Sequence, residues 1–275
     1  RTAGTVTVSS SSTLTGDLNA EAAQFTTAFA SDGISDLSSL NITADADTDN
    51  TVAEVNAITT LTSGVVTATL SNNDLTTLAG ITDTGNALTI TVQGDSVGGT
   101  SSDAAALNVL NGKTTEVITV NSTVITGTLS DIKTAYDANT AGTITGLGNE
   151  NITVSNTGTI TASDLNDVNG LTTGVITVTA ATGVTGTVTE IKNLYAANTA
   201  GTISGLGNEA ITISDAGSAV TTSELAEIEA LTSGVVSVTV SDQSQTASSL
   251  NTLDANSSEA VNASTIATLT GLAAD

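Results

Sequence analysis

The sequence predicts an α/β protein, a right-handed βα solenoid of short parallel strands and short helices. Three observations support this fold class: long stretches recur at a regular interval, strand and helix patterns alternate without long linkers, and aromatic side chains are nearly absent. Phe, Tyr and Trp make up 1% of the 275 residues, and the chain contains no Met or Cys. Small aliphatic and β-branched side chains suit thin, regular layers, because large irregular cores depend on aromatics and Met.

Internal repeats organise the chain. The stretch TAYDANTAGTITGLGNE (134–150) returns 59 residues later as NLYAANTAGTISGLGNE (193–209). A second pair, ALNVLNGKTTEVITV (106–120) and DLNDVNGLTTGVITV (164–178), is offset by 58 residues. Such periods are typical of repeat arrays. We predict a single array over residues 1–275, with approximate copies at 1–61, 62–112, 113–171 and 172–231 and a partial copy at 232–275.

The strands are marked by alternation of apolar and hydroxyl side chains. This alternation is clearest at residues 88–92, 175–178, 211–213 and 236–240. Each half of a copy holds one such strand, a polar turn, a short helix and a Gly turn, so we expect about ten strands that stack on their neighbours. Successive strands joined by helical crossovers should be parallel, and the crossovers should be right-handed.

The helices are marked by apolar residues at a spacing of three, which places one face of each helix inward. The clearest stripes are Val55/Ile58/Leu61, Leu165/Val168/Leu171 and Leu225/Ile228/Leu231. Capping-box spacing to a later Glu predicts helix starts at Thr51, Thr187 and Thr221. The glycines that follow the stripes are expected to end the helices in the left-handed conformation, namely Gly64, Gly174 and Gly234.

One copy departs from this pattern. Lys113 and Glu116 stand where the other copies have Leu and Gly, which predicts a looser helix end there. The alternative fold is a row of tandem all-β sandwiches, which would also suit Thr-rich alternating strands. The capped helical stripes and the lack of core aromatics argue against that alternative.

The chain is strongly acidic, with 28 Asp and Glu against four Lys and Arg and a formal net charge of −24. Nucleic-acid binding requires a cationic surface, so we predict no nucleic-acid partner. No apolar run is long enough for a membrane span, so we predict no membrane insertion. The acidity is typical of solubility at high ionic strength or of divalent cation binding.

The residue types needed for most catalytic sites are missing. Without His and Cys, the usual nucleophile–base pairs and zinc sites cannot form, and we predict that the protein is not an enzyme. Paired carboxylates could build a carbohydrate-cleaving pocket, but such pockets are usually lined with aromatic side chains, and the chain has only Phe25, Phe29, Tyr136 and Tyr195. The two tyrosines occupy equivalent repeat positions, which indicates packing.

One segment resembles a metal site. Asp45, Asp47 and Asp49 alternate as in the first half of a calcium loop. The second half of that motif is missing, because no Gly stands at its sixth position and no Glu at its twelfth. Ca²⁺ is therefore the only cofactor the sequence suggests, and the alternative is a polar turn before a helix.

The phrases LTSGVVTATL, LTSGVVSVTV, AANTAGTISGLGNEAITIS and SSLNTLDANSSEAVNASTIATLTG resemble repeats of very large secreted surface proteins of cyanobacteria and other aquatic bacteria. The resemblance covers nearly the whole chain and carries no catalytic residues. It implies an extracellular or cell-surface location and a role in adhesion or in a surface layer or filament.

Two functions follow as expectations. The first is an extracellular structural repeat protein in a surface layer, fibre or filament, which would self-associate or continue into neighbouring repeats. The alternative is an adhesin arm or phage fibre that binds glycans or a partner cell surface, because Thr-, Ser- and Asn-rich surfaces supply many hydrogen-bonding groups.

Overall fold

The computed structural model of the chain describes residues 6–9, 12–16, 18–44, 50–215, 220–239, 244–256, 261, 263–264 and 266–271. These residues form the helices α1 (Leu18–Phe29), α2 (Val52–Thr59), α3 (Leu75–Leu78), α4 (Ala104–Asn111), α5 (Leu129–Ala141), α6 (Ala162–Asn169), α7 (Val188–Ala200), α8 (Thr222–Glu229) and α9 (Ala247–Asn256). None of the helices in the described ranges is both long and apolar enough to span a membrane.

The described strands are short. They are β1 (Val6–Thr7), β2 (Thr13–Gly16), β3 (Ile34–Ser35), β4 (Asn41–Ala44), β5 (Val66–Thr69), β6 (Ala87–Val92), β7 (Ser101–Asp103), β8 (Ile118–Val120), β9 (Val124–Gly127), β10 (Ile144–Thr145), β11 (Asn151–Val154), β12 (Gly158–Thr161), β13 (Ile176–Val178), β14 (Ala181–Gly186), β15 (Ile203–Ser204), β16 (Ala210–Ile213), β17 (Val236–Val238), β18 (Ser244–Thr246) and β19 (Thr268–Thr270).

The chain divides into two compact units. Unit 1 comprises Arg1–Ile125 and Asp131–Leu147, and unit 2 comprises Thr126–Ser130 and Gly148–Asp275. In unit 1 the main sheet has the order β10-β8-β6-β5-β4-β2, and β1 pairs with β3. In unit 2, β11, β13 and β15 pair in that order, β12, β14, β16 and β17 form a second sheet, and β18 pairs with β19.

All of these strand pairs are parallel, which confirms the predicted α/β class and rules out the all-β sandwiches. The number of strands is larger than predicted, because the described residues hold nineteen strands where about ten were expected. Many helices are preceded by two strands instead of one. In several of these pairs one strand was missed since, as in β14, it contains Gly and lacks a long apolar alternation.

The cores are built from rows of aliphatic side chains that repeat from strand to strand. Ile152, Ile176 and Ile203 are in register on β11, β13 and β15, and all three are fully buried. Burying one such side chain contributes about 2 kcal/mol. Because the chain has very few aromatic residues, its cores are filled by stacked aliphatic side chains at equivalent positions.

The helices cover these rows with a three-residue apolar face, as expected. In α2 the buried residues are Val52, Val55 and Ile58, so the inward stripe begins one step earlier than predicted. The third member of each predicted stripe, Leu61, Leu171 or Leu231, follows the end of an eight-residue helix and is only half-buried.

The helix starts are capped as the sequence predicts. The capping boxes at Thr51, Thr187 and Thr221 are all formed with the Glu three residues later. A second cap was not predicted: the first amide of α2, at Val52, donates to Asn72 Oδ1 over 2.9 Å. Likewise, the Leu129 amide at the start of α5 donates to Asn156 Oδ1 over 2.7 Å, so later residues complete earlier helix ends.

After α2, α4, α6 and α8 the chain forms a recurring arrangement that we call the threonine clamp. In each clamp a Thr hydroxyl donates to a carbonyl of an earlier strand region and accepts the amide of the residue two positions later. Thr172 Oγ1, for example, donates to the Glu150 carbonyl over 2.7 Å, and the Gly174 amide donates to Thr172 Oγ1 over 3.0 Å. The equivalent threonines are Thr62, Thr114 and Thr232.

The prediction that three glycines end the helices in the left-handed conformation is wrong. Gly64, Gly174 and Gly234 are absent from the glycines with positive φ, so they do not end the helices in the left-handed conformation. They are required because the earlier chain passes so close: a Cβ at these positions would lie 2.2–2.3 Å from the carbonyl oxygen of Leu40, Glu150 or Glu209. The helices instead end in right-handed caps, such as Gly170 after α6.

The divergent copy at Lys113 keeps the clamp and is not looser. Its helix α4 has eight residues, like α2, α6 and α8. Thr114 Oγ1 donates to the Leu88 carbonyl over 2.7 Å, and the Glu116 amide donates to Thr114 Oγ1 over 3.1 Å. The hydroxyl therefore preserves the connection where glycine is lost.

Unit 1 contains a strained position at Asp36. Its φ of 67° makes it the one non-glycine residue with positive φ in the described ranges, and the equivalent residues Gly146 and Gly205 have φ of 96° and 91°. A non-glycine side chain in this region costs about 1 kcal/mol. We therefore expect Asp36→Gly to raise the free energy of unfolding by up to about 1 kcal/mol, measured by urea denaturation.

A matched control removes the same charge without relieving strain. Asp32 is exposed in the turn before β3 and does not have positive φ. Asp32→Gly should bring no gain, because glycine there only adds freedom to the unfolded chain. Equal effects of the two substitutions would contradict the explanation from backbone strain.

Candidate functional site

The predicted calcium residues Asp45, Asp47 and Asp49 lie outside the described residues, so the Ca²⁺ site stays a prediction. Glu54, the nearest later carboxylate, is held in the capping box, where it accepts the Thr51 amide over 2.7 Å and the Thr51 hydroxyl over 2.8 Å. Within the described ranges no three Asp, Glu, His or Cys residues lie close enough together to hold a metal ion.

Two glutamates that the sequence did not single out are buried in unit 2. Glu150 and Glu209 are each 2% exposed and end the two copies of the GLGNE segment. Glu209 Oε2 accepts the Tyr195 hydroxyl over 3.1 Å, the Gly207 amide over 2.8 Å and the Asn208 amide over 3.2 Å. A buried carboxylate requires such donors.

This arrangement is structural. Glu150 Oε2 accepts the Gly148 amide over 2.9 Å, as Glu209 accepts the Gly207 amide. In both copies the glutamate holds the backbone that leads into the next strand, β11 or β16, and it is buried. Recurrence of the GLGNE segment was the sequence signal that could have identified it.

Tyr195 gives unit 2 a predicted sensitivity to alkaline pH. Burial raises the pKa of Tyr195 well above its usual range, and the charge of Glu209 adds to the effect. As the pH rises, the unfolded chain loses this proton first, so the stability contributed by the neutral hydroxyl is complete below about pH 10 and is lost above it. We expect the free energy of unfolding to fall less steeply above about pH 10 in Tyr195→Phe than in the parent chain.

The measurement is urea denaturation at a series of alkaline pH values. Because the chain has two tyrosines, Tyr136→Phe leaves Tyr195 as the only phenol, and its phenolate absorbance can be followed alone. If the phenolate absorbance of Tyr195 in the folded protein rises with a midpoint at or below the ordinary tyrosine pKa of about 10, the prediction is contradicted.

The most regular surface of unit 1 is a set of threonines on the main sheet, which we call the threonine grid. It consists of the residues Thr67, Thr69, Thr89, Thr91, Thr119 and Thr145 on β5, β6, β8 and β10. Thr69 is in register with Thr89, and Thr91 is in register with Thr119, which is in register with Thr145. The intervening strand residues are buried, so the threonines lie on the outer side.

Unit 2 has smaller rows of the same kind. Thr153, Thr177 and Ser204 are in register on β11, β13 and β15. A second row runs across β12, β14, β16 and β17 through Thr161, Thr185, Thr212 and Ser237. Neighbouring hydroxyls bond along these rows, since Ser204 Oγ donates to Thr177 Oγ1 over 3.2 Å.

Valines extend these hydroxyl rows. Val65 and Val117 in unit 1 and Val175 and Val235 in unit 2 each stand one residue before a strand, at equivalent repeat positions. They are 40–46% exposed, although Val is usually buried. The same exposure in four copies marks a property of this surface that core packing does not explain.

Charged residues are excluded from these strands. The strands β5, β6, β8 and β10 of unit 1 contain no Asp, Glu, Lys or Arg. The same holds for β11 to β17 of unit 2. Asp83 and Glu116 of unit 1, for example, lie in the loops outside these strands. In a chain with a net charge of −24, this leaves a neutral surface of methyl and hydroxyl groups.

A scan against models of known protein families, a search among curated proteins and a search among solved structures each returned no match.

Proposed function

We propose that the protein is a structural repeat protein that forms part of an extracellular or cell-surface layer, fibre or filament. The observation that carries this proposal is the threonine clamp, which recurs at Thr62, Thr114, Thr172 and Thr232. Each clamp ties a helix end to an earlier strand region with the same hydrogen bonds. An array built this way gains further copies without any new kind of contact.

The clamps and the parallel ladders place backbone hydrogen bonds between successive parts of the chain. In unit 2, Thr173 N also donates to the Gly148 carbonyl over 2.9 Å, beside the bond from Thr172 to Glu150. These bonds must break together when neighbouring segments separate, so they suit a protein that carries tension. The acidic composition is compatible with a location outside the cell at high ionic strength.

Single-molecule pulling tests the mechanical part of the proposal. Thr172→Val keeps the side-chain shape but removes the hydroxyl of the clamp, and it is expected to lower the force at which unit 2 unfolds. Thr173→Val is the matched control, because the Thr173 hydroxyl is exposed and makes only a long contact of 3.4 Å to the Gly148 carbonyl. Equal unfolding forces for the two variants would argue against a load-carrying clamp.

Location is tested separately on the source cells. Antibodies against the purified chain, applied to thin sections and to intact cells, should label a layer or fibre outside the cell envelope. Labelling confined to the cell interior would overturn the proposal.

A further inference from the structure

We propose that the threonine grid of unit 1 binds ice. This activity goes beyond the structural role proposed above and depends on a different surface. The ligand would be the ordered water lattice at an ice surface, contacted by the methyl and hydroxyl groups of Thr67, Thr69, Thr89, Thr91, Thr119 and Thr145.

The grid is regularly spaced. Its threonines repeat in two directions, because neighbouring strands are about 4.8 Å apart and alternate residues along a strand are about 6.7 Å apart. The observed register aligns Thr69 with Thr89, and Thr91 with Thr119 and Thr145, whereas Thr67 is in register with Ala87. Water oxygens at ice surfaces repeat at similar distances, so several side chains can meet equivalent lattice positions at once.

The surface of the grid is uncharged. Its strands carry no charge, although the chain has a net charge of −24. A charged side chain holds its own hydration shell, which does not fit a water lattice and is costly to remove. The exposed Val65 and Val117, at 40% and 44%, extend the array of methyl groups beside the threonines.

The grid is also held rigidly by the residues beneath it. The inward neighbours Ile90, Ile118 and Ile144 are fully buried, and Thr119 lies between two such residues, Ile118 and Val120. Threonine is itself stiff at χ1. A fixed array loses little conformational freedom when it binds, and many weak contacts then act together.

Neutral polysaccharides are the competing class of ligand. Their recognition usually involves aromatic rings, and no residue of the described grid strands is aromatic. The chain's two tyrosines are both 3% exposed and therefore buried. The observations thus favour ice, and the experiment includes crystalline cellulose as the alternative.

The experiment measures partition of the fluorescently labelled full chain into a slowly growing ice front, together with inhibition of ice recrystallisation. The test variant is Thr89→Lys/Thr119→Lys, which places two charges on the grid at exposed positions. The matched control, Ala105→Lys/Val109→Lys, places the same charges on the exposed side of α4 in the same unit. Circular dichroism verifies that both variants are folded.

The parent chain and the control are expected to enter the ice, and the test variant is expected to lose partition by about tenfold or more. The single variant Thr119→Lys places one charge in the middle of the row formed by Thr91, Thr119 and Thr145, so it should also lose partition and tests the proposal if the double variant misfolds. Thr119→Val, which keeps the side-chain shape, should retain most of the activity. Exclusion of the parent chain from ice would overturn the proposal, and so would equal losses in test variant and control. Retention on crystalline cellulose by a chain that ice excludes would assign the grid to neutral polysaccharides instead.

Discussion

Replacing Gly174 with alanine is expected to lower the free energy of unfolding of unit 2 by about 3 kcal/mol. The added methyl carbon would lie 2.2 Å from the Glu150 carbonyl oxygen and 2.5 Å from its carbon. Real Cβ atoms do not approach so closely, and the obstacle is backbone, which cannot rotate away. Since Gly174 does not have positive φ, the loss would come from contact and not from a forbidden conformation.

The same movement would disturb the clamp. The Gly174 amide donates to Thr172 Oγ1 over 3.0 Å, and that hydroxyl donates to the Glu150 carbonyl, the group that the new methyl would displace. Separation of the two segments therefore breaks two hydrogen bonds as well as creating a gap, and each bond contributes about 1 kcal/mol.

Gly170→Ala is the control, four residues earlier in the same turn. Gly170 has φ of −79° and ends α6 in a right-handed cap. A Cβ added to Gly170 would lie 3.3 Å from its nearest neighbour, the Asp167 carbonyl oxygen. A small adjustment accommodates that contact, so Gly170→Ala should change stability by less than about 1 kcal/mol. Urea denaturation followed by circular dichroism compares the two, and a Gly174→Ala loss no larger than that of Gly170→Ala would contradict the prediction.

Removing the buried carboxylate of Glu209 is expected to have a second large effect. In Glu209→Ala the Tyr195 hydroxyl and the amides of Gly207 and Asn208 lose their shared acceptor in a site that is closed to water. Each buried donor left without a partner costs about 1–3 kcal/mol, and the removed atoms leave a cavity. We expect a loss of about 3 kcal/mol or more in the free energy of unfolding.

Glu209→Gln separates the hydrogen-bonding role from the side-chain volume. Glutamine keeps one acceptor oxygen and nearly the same shape, so this variant should lose less than Glu209→Ala. Thermal unfolding monitored by calorimetry measures both. If alanine is tolerated as well as glutamine, the three donors do not depend on this carboxylate.

The alternation of small apolar and hydroxyl residues predicted parallel strands and capped helices correctly, because those features depend on local spacing. The roles of Gly64, Gly174 and Gly234 could not be derived this way. A glycine satisfies two different requirements, a positive φ or a close neighbour, and the neighbour here lies more than twenty residues away in sequence. Strands such as β14 were missed since their apolar pattern is too short.

The threonine grid was only partly visible in the sequence. The alternation that places Thr89 and Thr91 on one side of β6 is local, and it was recognised. The alignment of Thr69 with Thr89 and of Thr91 with Thr119 depends on connections of unequal length, which set the register between strands. A two-dimensional surface pattern requires both the alternation within each strand and the register between strands. Sequence spacing predicts only the alternation.

The threonine clamp also bears on how such a chain can change over generations. The contact made by Thr172 and Gly174 with Glu150 is repeated by Thr232 and Gly234 with Glu209. The junction between one copy and the next is therefore formed by the same hydrogen bonds each time. Unequal recombination between the repeated stretches of the gene would add or delete whole copies while leaving every junction intact. The length of the protein can thus vary between lineages under little structural constraint. A substitution at Gly64, Gly174 or Gly234, where the earlier chain passes too close for a Cβ, would be selected against.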